Sequence, residues 1–407
     1  MKQTWRWFGP KDLVSIDDMR QAGVEGVVSA LHHRPPGALW SLEDIRQRQD
    51  EIATMTDGSP STLTWDVVES LPVSEDIKQQ KGEWRAHLQT YCDSLEALAQ
   101  AGIEVVCYNF MPILDWTRTD LAARQPTGAT AMAFDAVDFA AYDLFILARE
   151  GAEASFEPEI VEAAKERFAG MTAAQADALA NTVTFGLPGA AQNFGLQDVR
   201  DLLALYGEIS ADQLRAHFVA FLEAVVPTAE RLGLRLCCHP DDPPFPLLGL
   251  PRVVSTEADY RFLLDAVDSP ANGVTLCSGS LGVRADNDLP GMMARLGERV
   301  HFLHLRNVST VGEGLYCSFF EDEHLAGNTD MVALLAAVHR EEQRRKATGR
   351  EDWSIPLRPD HGQDILDDQG RKTQPGYPSI GRLKGLAELR GIWTALDHPD
   401  HGLAARD

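Results

Sequence analysis

The chain has 407 residues, 44% of them apolar, and sets 61 Asp plus Glu against 37 Lys plus Arg for a formal net charge of −24. That composition suits one elaborated globular domain, and the acidity argues against nucleic acid as a partner, because phosphate binding draws on clustered basic residues. Met1-Lys2 is followed by Gln3, Thr4 and Trp5 rather than by an apolar segment, and no apolar run is long enough to span a bilayer, so a cytoplasmic protein with no membrane partner is expected.

In chain order, short β-rich runs at 4–8, 26–30, 63–68 and 103–110 are each followed by a helical pattern, and four more lie at 234–239, 273–277, 300–305 and 353–358. Eight β–α units predict a single α/β domain, a closed parallel (β/α)8 TIM barrel. Boundary signals agree: Ser74 precedes Glu75-Asp76 in the first turn of one helix, and Ala101-Gly102 closes the helical stretch before strand 4. Residues at about 115–211 are surplus to a β–α crossover, which needs about a dozen residues. This Ala-rich stretch, punctuated by Gly-Leu-Pro-Gly at 186–189, is expected to be a helical insertion. It leaves the carboxyl end of a strand, where barrel active sites lie, so it is read as a lid or an oligomer arm in a homo-oligomer. The charge-dense stretch at 339–352 reads as a solvated helix end and loop, and the tail after His398 as frayed.

The six cysteines form no CxxC pair, which leaves them as core residues or ligands. Four consecutive strands in the second half end in metal-competent side chains: His239 in CCHPDDPP, Cys277 in TLCSGSLG, His304 in HFLHLRN and Asp360 in RPDHG. Consecutive barrel strands converge at the carboxyl mouth, so one ligand from each can meet at a single ion without a local motif. Strand parity separates these residues from their neighbours. If His304 points inward, so do Phe302 and Arg306, while His301 faces the helices; His239 inward sends Cys237 inward and Cys238 outward. Arg306, Asn109 at the end of strand 4, and His33 after strand 2, with its neighbour His32, are candidate contacts for a substrate's carboxylate and hydroxyls.

The stretches CCHPDDPP, TLCSGSLG, FLHLRNV, RPDHG and GYPSIGRLKGLAELRG, with TWRWFGPKD and TWDVVESLPVSEDIK nearer the start, resemble the mannonate dehydratase family over nearly the whole chain. The resemblance implies a xylose-isomerase-like barrel, a Mn2+ or Fe2+ cofactor, and dehydration of D-mannonate to 2-keto-3-deoxy-D-gluconate in hexuronate breakdown. It places the metal ligands on His239, Cys277, His304 and Asp360, and the catalytic pair on His361 and Tyr377. The chemistry agrees in kind: removing the C2 proton of an aldonate needs a cation to stabilise the aci-carboxylate, a base, and an acid for the departing 3-hydroxyl. For Tyr377 to act as a base its pKa must fall from about 10, with Arg382 or the metal as the expected cause; Arg382 is also a candidate substrate contact. Which of His361 and Tyr377 is base and which is acid stays open at this point.

Two other classes remain to be weighed. A sugar isomerase or epimerase would use a carboxylate-rich metal site on the same barrel, whereas these ligands include one carboxylate. A metal-stabilised binding protein would need a closed site without an acid–base pair. By softness the ligand set suits Zn or Fe(II), and room for two substrate oxygens favours Mn(II) or Fe(II).

Overall fold

The computed structural model describes residues 1–185, 195–207, 209–312, 314 and 316–399. The Gly-Leu-Pro-Gly stretch at 186–189 and the tail from 400 onward lie outside the described residues.

In chain order the strands are β1 (Lys2–Arg6), β2 (Gly26–Ser29), β3 (Trp65–Glu69), β4 (Val105–Tyr108), β5 (Asp120–Arg124), β6 (Thr130–Phe134), β7 (Arg235–Cys238), β8 (Asn272–Cys277), β9 (Val300–His304), β10 (Asn307–Val311), β11 (Ser318–Asp322) and β12 (Pro356–Arg358). Strands β1, β2, β3, β4, β7, β8, β9 and β12 close a barrel, and β12 completes it by pairing in parallel with β1. All eight coincide with the β-rich runs of the sequence, displaced by one to a few residues at their ends. Helices follow them as a (β/α)8 barrel requires, and their starts are capped by local chemistry: Ser15, Ser41, Ser74, Ser210 and Thr256 each accept a backbone N–H of the first turn, satisfying a donor that has no partner within the helix.

Parity along the strands sorts the core in two. Val28, Val67, Val105, Cys107, Cys237 and Phe302 fill the barrel interior, while Val27, Val68, Val106, Leu236, Cys238 and Leu303 pack outward against the helices. Because successive side chains alternate faces, an apolar interior layer at mid-strand leaves the next inward positions, near the carboxyl ends, for polar groups.

Two expectations need correction. The insertion is not helical throughout: it opens with the hairpin β5–β6, and β6 pairs with β11 through Phe134 and Phe319. The result is a four-stranded antiparallel sheet, β10-β11-β6-β5, over a second apolar core that includes Phe134, Phe139, Phe245 and Phe319. The first run, Asp-Leu-Ala-Ala-Arg, has weak strand character and is the edge strand of this sheet, held by its hairpin partner β6, which is in turn held by β11 from almost two hundred positions away. The helices Pro158–Ala169, Ala173–Val183 and Leu196–Tyr206 follow as expected. The charge-dense stretch is also less solvated than expected. In the helix Met331–Ala347, Glu342 and Arg345 are buried: Arg345 donates to the carbonyls of Gly297 and Val300 at 2.6 and 2.7 Å, and Glu342 accepts the Ile355 N–H at 2.8 Å. A charge run reads as surface only when no backbone group is left for it to satisfy.

Candidate active site

The carboxyl mouth of the barrel gathers the strand-end residues. Ligand atoms of His239, Cys277 and His304 all lie within 4.8 Å of one another. Asp360 Oδ2 stands 3.8 Å from Cys277 Sγ and 3.8 Å from His304 Nδ1, so the fourth expected ligand borders the group. Two residues beyond β12, Asp360 adopts φ 63°, a left-handed conformation that Asp tolerates better than most side chains. That turn ends the alternation of the strand, and Asp360 and His361 both line the same cleft although they are adjacent.

The donor set fits a divalent cation. His239 Nδ1 lies 2.7 Å from the Pro240 carbonyl and so carries the ring proton. His304 Nε2 lies 3.3 Å from Glu69 Oε2, which places its proton on that side. The remaining nitrogens, His239 Nε2 and His304 Nδ1, face each other at 3.1 Å. Two lone pairs at that separation repel unless something positive lies between or beside them, and outer partners of this kind orient metal-binding imidazoles. Burial lowers the His239 pKa, which favours the neutral, ligating form.

His361 Nε2 is 3.1 Å from the Tyr377 hydroxyl, and its Nδ1 is 3.2 Å from Glu321 Oε1. Burial pushes the imidazole below its ordinary pKa, against the opposing pull of Asp360 and Glu321. Burial likewise raises Tyr377, and Arg358 and Arg6 only partly offset it. The guanidiniums around it therefore do not by themselves bring the phenol toward the base range.

Arg382 is the clearest correction. Its three donor nitrogens bind the backbone carbonyls of Pro378, Arg6 and Tyr377 at 2.9, 2.9 and 3.1 Å, and its guanidinium lies 4.1 Å over the Trp5 ring. With its donors spent on the chain itself, it anchors the Tyr377 loop and does not line the cleft. Burial lowers its pKa to about 10. His33 is the second correction: its side chain is 56% exposed and 3.7 Å from Asp44. Its neighbour His32 turns inward, with both ring nitrogens covered and unpartnered. Asn109 lines the cleft. Arg306 does too, but its donors are committed to Asp360 at 2.7 Å, Glu321 at 2.7 Å and Asp242 at 2.5 Å, so it is not a free clamp for a substrate carboxylate.

That commitment belongs to a buried network absent from the sequence reading. Arg118 bonds Asp242 and Glu321 at 2.7 and 2.6 Å. Arg358 bonds Glu69 at 2.7 Å and also Asp360, and Arg6 shares Glu69 at 2.7 Å. Burial alone would raise these carboxyls, but the guanidiniums win: Asp360 and Glu69 fall well below the ordinary value, and Glu321 drops to about 2. Isolated buried charges would be prohibitive; interleaved, they hold Glu69, Glu321 and Asp360 as anions. The signal available in the sequence was the motif context alone, since Arg6, Glu69, Arg118, Asp242 and Glu321 lie on separate segments. Asp115 and Trp116, at the start of the insertion, also line the cleft and were not anticipated.

Fold and site together define a class: a (β/α)8-barrel enzyme with a metal-competent His–Cys–His group beside a hydrogen-bonded His–Tyr pair at the carboxyl mouth. A family model described as D-mannonate dehydratase (UxuA) matches residues 1–401, and the chain belongs to the D-mannonate dehydratase family, a family of hydro-lyases. It is 54% identical over 405 residues to a mannonate dehydratase of Rhizobium meliloti (strain 1021), covering 100% of this chain and 99% of that protein. It is also 54% identical over 404 residues to mannonate dehydratase 1 of Agrobacterium fabrum, covering 99% of each. Among solved structures it is similar to the mannonate dehydratase of Streptococcus suis serotype 2, with a TM-score of 0.74 and 31% identity over 100% of this chain and 98% of that one.

Proposed function

We propose that the protein dehydrates D-mannonate to 2-keto-3-deoxy-D-gluconate, as a step of hexuronate catabolism in the cytoplasm, with His239, Cys277, His304 and Asp360 holding a Mn2+ or Fe2+ ion. The observation that carries this reading is the placement of the His361–Tyr377 pair, 3.1 Å apart, on the residue next to Asp360 and in one cleft with His239. When bound, the ion supplies the positive charge that stabilises the aci-carboxylate as the C2–H bond breaks.

The chain's own residues handle the protons. With a carboxylate 3.2 Å from Nδ1, the proton of the neutral His361 ring resides there, and Nε2 presents its lone pair. His361 is thus suited to take the C2 proton, and Tyr377, kept as a phenol by burial, to give its proton to the departing 3-hydroxyl. C2–H and C3–O break, water leaves, and the resulting enol takes up a proton at C3 to become the 2-keto acid. Glu321 and Asp360, held ionised by Arg306, Arg118 and Arg358, stabilise the imidazolium formed on the way.

The test is incubation of the purified, Mn(II)-loaded protein with a panel of six-carbon aldonates, assaying 2-keto-3-deoxy acid. D-mannonate is expected to be the substrate turned over. A product of unchanged molecular formula would replace this reading with an isomerase or epimerase, and no product from any aldonate would remove it.

A further inference from the structure

Where the insertion leaves the barrel, the chain bends over the mouth under constraint. Ile113, a β-branched residue, holds φ at 60°, a conformation its side chain disfavours and that persists only where surrounding structure enforces it. The enforcement is visible. Lys78 donates to the Met111 carbonyl at 2.7 Å, the Ile113 N–H donates to Glu75 at 3.3 Å, and Arg252 donates to the Leu114 carbonyl at 2.7 Å. The Tyr206 hydroxyl, from the far end of the insertion, closes on the same Glu75. Lys78 and Arg252 are both buried, at a desolvation cost, and both are used on the four residues before Asp115.

The segment so held brings Asp115 and Trp116 to the cleft that contains His239, His361 and Tyr377. Each carries a covered polar atom without a hydrogen-bond partner, Oδ1 of Asp115 and Nε1 of Trp116; the Lys78 ammonium stands off at 3.7 Å from that Oδ1. Buried donors and acceptors left unmade are costly and uncommon. An acceptor and a donor on adjacent residues of one cleft complement a ligand rich in hydroxyls, since each C–OH offers both functions. Trp116 also lies edge-on to His361, ring centroids 6.4 Å apart, so a substrate at the proton-transfer pair is within its reach.

We propose that Asp115 and Trp116 are specificity-determining residues that recognise the hydroxylated carbon chain of the sugar acid, Trp116 donating through Nε1–H and Asp115 accepting through Oδ1. This rests on the dehydratase reading above and gives the insertion a task at the active site: it carries the edge that reads the polyol. The braced backbone at 111–114 sets the position of that edge, in keeping with the precision that substrate-positioning groups require.

The experiment is steady-state kinetics on D-mannonate with the metal-loaded full chain carrying Trp116→Phe, which keeps the ring and removes the N–H, or Asp115→Asn, alongside metal analysis and circular dichroism. KM is expected to rise about 5-fold in the first and about 10-fold or more in the second, where a charged acceptor is lost, with kcat changed less than about 3-fold and metal content unchanged. A KM within about twofold of wild type in both variants would overturn the proposal, and so would a kcat loss as large as the rise in KM. If one variant does not fold, the other decides. A wild-type chain that fails to dehydrate D-mannonate overturns the parent reading and this one with it, whereas an active wild type with an unmoved KM in the variants overturns this one alone.

Discussion

Cys277 Sγ lies 3.8 Å from Asp360 Oδ2 at the mouth of the barrel, while the Cys238 side chain, one position before His239, packs on the helix side of the sheet. The two thiols are equally buried and differ only in which face of a strand they occupy. Cys277→Ser should therefore weaken Mn(II) binding by about 10–100-fold, the scale on which ligand and near-ligand changes act, with Cys238→Ser within about threefold of wild type. Exhaustive chelation should abolish turnover, and Mn(II) or Fe(II) should restore it. Equal losses of affinity in the two variants, or full turnover in metal-free protein, would show that the ligand group is misassigned.

Tyr377→Phe should leave metal content and fold intact, because the ring packs and only the hydroxyl beside His361 is removed. General acid–base groups contribute about 10²–10⁴-fold, so kcat should fall in that range with substrate affinity changed much less. Asp360→Asn should behave differently. It removes the anion that pairs with both Arg306 and Arg358, so metal affinity, substrate affinity and thermal stability should fall together; uncompensated buried charge typically costs about 3–5 kcal/mol. Near-normal kcat in Tyr377→Phe would take the phenol out of the mechanism.

Arg382 offers a sharp discrimination between anchoring and substrate binding. Lysine cannot reproduce three bonds to the carbonyls of Pro378, Arg6 and Tyr377 from a planar fork. Arg382→Lys is expected to misplace the Tyr377 loop and lower kcat on the order of 10-fold or more, with KM for D-mannonate within about threefold. A KM rise above about tenfold with kcat preserved would instead mark Arg382 as a clamp on the substrate carboxylate.

Asp364 ties the insertion sheet to the loop after β12: Thr130 and Asp364 exchange backbone bonds at 3.2 and 2.8 Å. Burial raises the Asp364 pKa from 3.8 to about 6, opposed by Thr130 and assisted by Asp368. A carboxyl that holds its proton more tightly folded than unfolded makes stability fall as pH rises between those two values, with the full penalty present above about 6. Asp364→Asn should thus raise Tm at pH 8 by on the order of 1–2 °C, scaled for a large domain and a partly solvated group. The gain should vanish near pH 4, where the wild-type carboxyl is protonated in the folded state. A gain equal at both pH values would show that ionisation is not its source.

Much of this architecture was legible before any coordinates. The eight barrel strands, the outward turn of Cys238 and His301, and the inward turn of His239, Cys277 and His304 all follow from a period-2 pattern read along single segments. His301 indeed lies outside the site, with Nε2 3.0 Å from the Pro270 carbonyl and its pKa lowered by burial to about 3. The errors share a cause. The β6–β11 pairing that makes a sheet of the insertion's hairpin, the burial of Glu342 and Arg345, and the roles assigned to Arg382 and Arg306 all depend on partners supplied by distant segments.

What the sequence determined by itself is the barrel and the identity of the strand-end side chains, because alternation along a strand and convergence at the carboxyl mouth are properties of local geometry and closure. Only the tertiary structure decided which charges cancel and which polar atoms stay open. Arg118 meets Glu321 across 203 positions and Arg358 meets Glu69 across 289, and no local pattern states which carboxylate a guanidinium will reach. Electrostatic energy depends on distance in space, so Arg306, Arg358 and Arg382 became structural while Oδ1 of Asp115 and Nε1 of Trp116 were left without a hydrogen bond at the cleft.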